Sequence, residues 1–345
     1  MKIRQLLAAG VLALATCGSP PASTAPSALV VLGRPQGGAG NGYELVRLPK
    51  GDTVTRLPSG QAAFALSGGG DIVEAYLARS GTGAVEIDAI QPNQGFALRQ
   101  VATLESPPRA ALLVRAELTN FVGLPNVLIV LTDDGRLLGY QHGVRIWSSG
   151  ISGSAQLRLL GGKAFAADSN GWWPIDAATG ILGPILTAAS CLPGPIALVG
   201  GKPLLDCGGA LSGSLQRLPA GPADAVPIVS DTVLVFAGDE VWRVGTAEAR
   251  RLATGILRTG APVATPDGKT VYLPTADGVE RVDADSGSHG PLLAASGISS
   301  IALSRDANFL YVIEGGRFTT YRTASGTRAG SFATDRTIFY LVAGG

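Results

Sequence analysis

Short runs of apolar residues, many of them β-branched or aromatic, alternate with turn residues along most of the chain. The runs at residues 128–130, 233–235 and 271–273 are typical, and Asp-Gly or Ser-Gly pairs separate many such runs. This pattern predicts short strands joined by tight turns. No segment carries a sustained apolar period of 3.6 residues between capping residues, which is the mark of a helix. The sequence therefore predicts a chain that is nearly all β.

The strand and turn pattern repeats. Residues 265–273 align without gaps onto residues 304–312, and residues 233–244 repeat the same pattern earlier in the chain. Residues 175–180 align in the same way onto residues 282–287. A period of about 40 residues in a β-rich chain indicates the blades of a β-propeller, each of which is a four-stranded sheet.

The repeats predict how many blades there are and how the ring closes. The copies start near residues 29, 63, 110, 155, 195, 226, 262 and 298. This count favours eight blades, with seven as the alternative if the weak fifth copy merges with a neighbour. The propeller would occupy residues 28–345. A last strand at residues 337–342 could pair with the blade that begins at Leu29, which would close the ring and remove an exposed sheet edge.

The first residues have the layout of a signal peptide. Lys2 and Arg4 precede an apolar stretch at residues 6–15. This stretch is too short to cross a bilayer, which takes about 20 residues in a helix. We therefore interpret residues 1–16 as a signal peptide and residues 17–27 as a tether, because residues 18–27 are rich in Pro, Ser, Ala and Thr.

The end of the leader, Leu14-Ala15-Thr16-Cys17, resembles the lipobox of bacterial lipoproteins. The resemblance implies that Cys17 receives a diacylglyceryl group and becomes the new N-terminus. The protein would then be exported and anchored by lipid to the cell membrane or the outer membrane. Thr16 departs from the Gly, Ala or Ser that the family prefers there. The alternative is a plain secretory signal, although its nearest small-residue cleavage site is followed by Pro26.

Two blade motifs carry further resemblances. The sequence Thr-Pro-Asp-Gly-Lys-Thr-Val-Tyr-Leu at residues 265–273 resembles the blade signature of bacterial YVTN and TolB-like propellers, which are WD40-like. The Asp-Ala-Ala-Thr-Gly sequence at residues 176–180 is similar to a turn of quinoprotein-like propeller blades. That family has a tryptophan a few residues after the turn, and this chain has none there. The resemblance therefore implies no quinone, and we expect no cofactor.

Composition and charge narrow the function classes. The chain of 345 residues contains 48 Gly and 22 Pro, and 46% of its residues are hydrophobic. This composition indicates a turn-rich chain with a large core. The net charge of +1 supplies no basic field for nucleic acid. The two histidines, His142 and His289, lie in different predicted blades. Asp283 begins a segment that resembles a calcium loop, but its glycine comes one position early and Ala294 replaces the required Glu. We predict no catalytic or metal-binding residues.

Cys191 and Cys207 are predicted to form a disulfide. Residues 203–207 read as a strand that returns antiparallel to the segment after Cys191, with Gly200-Gly201 as the turn between them. An exported protein meets the oxidising conditions that such a bond requires. The alternative is two buried free thiols.

Together these features predict a membrane-tethered, non-catalytic propeller that binds a protein or glycan partner or acts as a scaffold. The alternative is a propeller hydrolase such as a lactonase, with polar residues from several blades gathered at the central channel. Several carboxylates converging there with His or Arg would favour the hydrolase.

Overall fold

The described part of the chain consists of strands and turns. The structure, a computed structural model, describes residues 29–33, 43–48, 50–56, 61–69, 72–80, 85–90, 98–114, 127–141, 143–151, 156–160, 162–168, 170–185, 187–188, 194–200, 202–206, 223–228, 231–304 and 306–342. None of these residues belongs to a helix that is long and apolar enough to span a membrane.

Thirty strands are present in these residues, and all pairings between them are antiparallel. In chain order they are β1 Leu29–Gly33, β2 Tyr43–Arg47, β3 Asp52–Arg56, β4 Gln61–Gly69, β5 Ile72–Ser80, β6 Val85–Ile90, β7 Leu98–Leu104, β8 Pro108–Val114, β9 Val127–Thr132, β10 Arg136–Gln141, β11 Val144–Gly150, β12 Gln156–Leu160, β13 Lys163–Asp168, β14 Gly171–Ile175, β15 Thr187–Ala188, β16 Gly194–Val199, β17 Lys202–Asp206, β18 Ala223–Pro227, β19 Val233–Ala237, β20 Glu240–Val244, β21 Ala249–Thr254, β22 Val263–Ala264, β23 Thr270–Thr275, β24 Gly278–Asp283, β25 His289–Ala294, β26 Ile298–Leu303, β27 Phe309–Glu314, β28 Arg317–Arg322, β29 Arg328–Ala333 and β30 Thr337–Val342.

The strands form eight sheets within the described residues, and seven of these sheets have four strands. We number them by position: sheet 1 is β30-β1-β2-β3, sheet 2 is β4–β7, sheet 3 is β8–β11, sheet 4 is β12–β15, sheet 5 is β16-β17, sheet 6 is β18–β21, sheet 7 is β22–β25 and sheet 8 is β26–β29. Residues 207–222, which follow the two strands of sheet 5, lie outside the described part. This all-β arrangement of antiparallel four-stranded sheets fits a propeller-like fold.

The first strand of each sheet lies beside the first strand of the next sheet. These neighbours run in the order β30, β4, β8, β12, β16, β18, β22 and β26, and β26 also lies beside β30. The starts of sheets 2 to 8 fall within three residues of the starts that the repeats predict. The sequence period therefore located the sheets correctly.

Sheet 1 combines both ends of the described chain. Its strand β30 pairs with β1 so that Val342 lies opposite Leu29 and Thr337 lies opposite Gly33. Strand β1 also pairs with β2, where Leu29 lies opposite Arg47. Backbone hydrogen bonds between β1 and β30 thus join residues from opposite ends of the sequence.

The turns that reveal the repeat in the sequence have the same structure in different sheets. In sheet 4 the Oδ1 atom of Asp176 accepts the backbone N–H groups of Ala178 and Thr179 at 2.9 and 3.2 Å. In sheet 7 the Oδ1 atom of Asp283 accepts the N–H groups two and three residues further along at 3.2 and 2.8 Å. Both turns end in a glycine with positive φ. These local hydrogen bonds explain why the two sequences align.

The sheets stack face to face through their second strands. All six residues of β9 and all five of β19 are buried, as are the last five of β23 and the first five of β27. A strand that is covered on both faces needs apolar residues at successive positions, which explains the apolar runs in the sequence. The core is therefore divided into clusters between neighbouring sheets.

An irregularity in the pairing of the third and fourth strands recurs in six sheets. The extra residue lies in the fourth strand, where it interrupts the pairing as a β-bulge does. The six residues are Val54, Val101, Ile146, Leu252, Leu292 and Ala329.

A fourth-strand side chain also covers the glycine turn of the following sheet. The indole Nε1 of Trp147 donates to the carbonyl oxygen of Ala177 at 2.8 Å, and a Cβ atom at Gly180 would lie 2.4 Å from this ring. The turn at residues 176–180 thus holds a tryptophan that comes from the preceding sheet and not from a position after the turn. Phe332 of sheet 8 covers Gly51 of sheet 1 in the same way.

Candidate functional site

A polar cleft of about 490 Å³ lies between sheets 7 and 8. Thr270, Arg281, Asp283 and Gly290 line it from sheet 7, and Ala324 faces it from the turn between β28 and β29. We call it the 7/8 cleft. Its volume falls in the range of small-molecule sites.

The polar groups of the 7/8 cleft are available to a ligand. Arg281 is exposed, and no described residue makes a hydrogen bond or an ion pair with it. Hydrogen bonds from the backbone and the hydroxyl of Ser286 hold the pKa of the Asp283 carboxyl below its usual value. The Oδ1 atom of Asp283 accepts both hydrogen bonds from Ser286. The ionised carboxylate therefore keeps its second oxygen, Oδ2, as an acceptor for the cleft.

The neighbouring cleft between sheets 6 and 7, the 6/7 cleft, is bridged by charged side chains. The Nη1 atom of Arg243 lies 2.5 Å from Oδ1 of Asp285, which belongs to the turn after β24. The Nη2 atom of Arg250 donates to the backbone carbonyl of the same Asp285 at 3.2 Å. Two arginines of sheet 6 therefore bind one residue of sheet 7 across the 6/7 cleft.

The strand register identifies the equivalent positions in the two clefts. Arg243 pairs with Arg250 in sheet 6, whereas Arg281 pairs with Gly290 in sheet 7. The aspartate that binds Arg243 is replaced by Ala324, at the same place in the turn of sheet 8. The 7/8 cleft thus keeps the first arginine and loses both of the residues that fill the 6/7 cleft.

A glycine keeps the 7/8 cleft open. A Cβ atom at Gly290 would meet no atom within 4 Å, so the space beside this strand residue is empty. Gly290 has no positive φ, so a larger residue fits its backbone. The opening of the cleft consequently depends on side-chain size and not on a special backbone shape.

The histidines and the calcium-like segment have structural explanations where they are described. His289 Nδ1 lies 2.9 Å from Oε2 of Glu280 on the adjacent strand. His142 lies outside the described residues. Asp283 uses Oδ1 to hold its own turn. Within the described part of the chain, no three His, Cys, Asp or Glu residues are grouped so that they could hold a metal ion.

The three cysteines Cys17, Cys191 and Cys207 lie outside the described residues. The hairpin expected between the last two is present in part, because β16 and β17 pair with Gly194 opposite Asp206. Gly200 has a φ of +56° in the connecting turn. The disulfide and the lipid site both stay predictions.

The first strands of the eight sheets carry few charged residues. In the eight strands that lie first in their sheets, these residues are Arg109, Arg158 and Asp224. Asp224 forms an ion pair with Arg258. The described first strands thus contain one carboxylate, Asp224, and it is paired with a cation.

Sequence reasoning missed the 7/8 cleft, although the repeat contained a signal. The copies align Ser325-Gly326 with Ser286-Gly287, so Ala324 falls on Asp285. A repeat that loses a charged residue at one copy indicates a local change in the contact between blades. The pairing of Gly290 with Arg281 needs the strand register, which the irregularity in this sheet shifts.

Comparisons with known proteins concern the fold. No protein-family model matches the chain, and no curated protein matches its sequence. Similar solved structures include Hsv2 of Kluyveromyces lactis, with 10% identity over 76% of this chain and 74% of that chain and a TM-score of 0.38. A functionally unknown protein of Desulfotomaculum acetoxidans has 13% identity to this chain. The match covers 88% of this chain and 98% of that chain, with a TM-score of 0.48.

Dihydro-heme d1 dehydrogenase NirN, solved in complex with DHE, has 10% identity to this chain. The match covers 92% of this chain and 75% of that one, with a TM-score of 0.45. None of these likenesses bears on the function of this chain.

Proposed function

We propose that this chain is an exported lipoprotein, acylated at Cys17, whose eight-bladed closed propeller is a non-catalytic binding or scaffold module for a protein or glycan partner. The observation that carries the binding role is the 7/8 cleft. It departs from its bridged neighbour at two positions at once, and both changes open space beside a charged side chain.

Contacts between sheets support the closed ring of eight blades. The first strands form an unbroken circle of neighbours in which β26 of sheet 8 adjoins β30 of sheet 1. Phe332 covers Gly51 across this junction, just as Trp147 covers Gly180 between sheets 3 and 4. The junction between the last and first sheets therefore resembles an ordinary contact between successive blades.

The path of the chain supports a cleft that lies near the membrane. Leu29 lies opposite Arg47, and Arg47 pairs with Asp52 across the turn at residues 48–51. The tether thus joins sheet 1 at the end that carries the turns between third and fourth strands. Asp283 and Ala324 belong to the equivalent turns of sheets 7 and 8. A tether of residues 18–28 spans at most about 40 Å, so Leu29, where the tether joins sheet 1, would stay within that distance of the lipid anchor.

Site-specific photo-crosslinking in intact cells tests the binding role. A crosslinking residue in place of Ser325, at the 7/8 cleft, should give a discrete adduct with a protein or glycan. The same residue in place of Ala247, an exposed turn position of sheet 6, should give none. No adduct from Ser325, or the same adducts from both positions, would contradict the proposal. Turnover of lactones by the purified protein would favour the hydrolase instead.

A further inference from the structure

The 6/7 cleft indicates which chemistry the 7/8 cleft lacks. There, the guanidinium of Arg243 binds the carboxylate of Asp285 directly. Arg281 occupies the equivalent place in sheet 7, and Ala324 lines the same cleft at the turn position that Asp285 has in sheet 7. Guanidinium groups match carboxylates in geometry and charge. The charge of Asp283 acts on Arg281 within the cleft, but among the described residues no carboxylate contacts Arg281 from sheet 8. A ligand can supply that carboxylate.

The other polar groups of the 7/8 cleft suit hydroxyl groups on the same ligand. The Oδ2 atom of Asp283 can only accept hydrogen bonds while the carboxyl is ionised. The hydroxyl of Thr270 can donate or accept, and no described residue hydrogen-bonds to it. A ligand that fits all three groups carries one carboxylate and several hydroxyls.

We infer that the 7/8 cleft binds a carboxylate-bearing saccharide, a uronic acid unit, through Arg281, Asp283 and Thr270. This inference rests on the proposed binding function and names the ligand class of the same cleft. The carboxylate lies against Arg281, where Asp285 lies against Arg243 in the neighbouring cleft. The ring hydroxyls donate to Asp283 and exchange hydrogen bonds with Thr270. An acidic peptide would also supply a carboxylate, but it would lack the cluster of hydroxyl donors that Asp283 accepts.

The test uses ligand-observed NMR on the folded protein with D-glucuronic acid, and with D-glucose as the neutral counterpart. Glucuronic acid should bind, and glucose should bind at least about tenfold more weakly, because charge-assisted hydrogen bonds are the stronger kind. The Arg281→Gln variant should lose about tenfold in affinity for glucuronic acid and should not change the affinity for glucose.

Two variants close the 7/8 cleft. Ala324→Asp should supply an internal partner for Arg281, and Gly290→Leu should fill the open space without adding a charge, so both should lose glucuronic acid binding. Because position 324 is exposed and Gly290 has free space, thermal unfolding should stay close to that of the parent. Ala247→Asp is the matched control, because it makes the same substitution at the equivalent exposed turn position of sheet 6, outside the 7/8 cleft, and should leave binding unchanged.

The outcomes separate the ligand class from the binding role. Equal binding of glucuronic acid and glucose, or full affinity in Ala324→Asp, would overturn the inference. Binding of a tetraglutamate peptide that depends on Arg281, without binding of glucuronic acid, would replace the saccharide by an acidic protein partner. The crosslink at Ser325 would then still support the proposed function. Absence of both the crosslink and glucuronic acid binding would remove both proposals.

Discussion

The Nε atom of Arg336 lies 3.1 Å from Oε2 of Glu44. Arg336 directly precedes β30, whereas Glu44 lies in β2, two strands away in the same sheet. Their side chains are only 12% and 15% exposed. Thr53 of β3 donates to the other carboxylate oxygen at 2.5 Å. A largely buried ion pair therefore fixes the C-terminal strand to the N-terminal strands, in addition to the backbone pairing.

Arg336→Ala should destabilise the protein by about 2 kcal/mol, because it removes the guanidinium from a largely buried carboxylate that keeps its bond from Thr53. Urea unfolding measures the loss. Arg136→Ala is the control, since its partners Glu105 and Asp134 are 69% and 44% exposed and such surface pairs contribute less than about 1 kcal/mol each. Equal decreases in the free energy of unfolding in the two variants would show that the Arg336–Glu44 pair contributes no more than a surface ion pair.

Removal of residues 337–345 should prevent stable folding. The deletion takes away β30, exposes the pairing edge of β1 and uncovers the sides of β26 and β4 that contact β30, which promotes aggregation. Size-exclusion chromatography and thermal unfolding provide the measurement. A truncated monomer with an unchanged unfolding temperature would be evidence against a closed ring.

The local turns and the sheet positions could be predicted from the sequence because their causes are local. The Asp at position 283 captures N–H groups two and three residues away, so the motif and its structure coincide. The second strands are covered on both faces, so their apolar runs reveal them.

Contacts between sheets could not be predicted in the same way. Arg243 and Asp285 are 42 residues apart, and Arg336 and Glu44 come from opposite ends of the chain. Trp147 reaches the turn of the next sheet only because of how the two sheets stack. Which side chains meet across a cleft depends on strand register, and the irregularity between the third and fourth strands of six sheets, including sheets 6 and 7, shifts that register.

Tyr311→Phe should leave the protein as stable as the parent or more stable by up to about 1 kcal/mol. The Tyr311 hydroxyl is buried, and no described residue hydrogen-bonds to it, so its removal loses no bond. Tyr321→Phe is the contrast, because its hydroxyl donates to Oε1 of Glu314 at 2.6 Å. It should cost about 1 kcal/mol in urea unfolding. A larger loss in Tyr311→Phe than in Tyr321→Phe would contradict this.

Alkaline pH should lower the stability of the protein through ionisation of Tyr311. Burial raises the pKa of Tyr311 to about 12 from an ordinary value of 10.0. Between these values the unfolded chain releases the proton while the folded protein keeps it, so stability falls as pH rises. Between pH 9 and 12, the free energy of unfolding should fall less steeply with pH in Tyr311→Phe than in the parent protein. Some slope should remain, because burial and the bond to Glu314 also raise the pKa of Tyr321 to about 12.

Cys191 and Cys207 should carry no free thiol in exported protein. The pairing of Gly194 with Asp206 brings the two ends of this hairpin together, next to the positions of the cysteines. A loop of this length stabilises a fold by roughly 3 kcal/mol when its disulfide is unstrained. Mass spectrometry after alkylation without reduction is the measurement. Two alkylated cysteines in correctly exported material would exclude the bond.

Cys17→Ser should release the protein from the membrane, or leave it as unprocessed precursor, because acyl chains supply the hydrophobic attachment. Cell fractionation with immunoblotting and mass analysis of the N-terminus follow both outcomes. Ser27→Ala serves as the control, because it changes a tether residue and leaves all three cysteines in place. Recovery of lipid-free Cys17→Ser protein in the membrane fraction at the parental level would argue against the anchor.

The pairing of Leu29 with Val342 sets the timing of folding. Sheets 2 to 4 and 6 to 8 are built from neighbouring segments, so each can form as soon as its own strands are available. Sheet 1 must wait for the final residues of the chain, whether these come from the ribosome or through a translocation channel. Until then β1 offers an unpaired edge to chaperones and proteases. Arrival of the last strand is thus the step that covers this edge and completes the sheet.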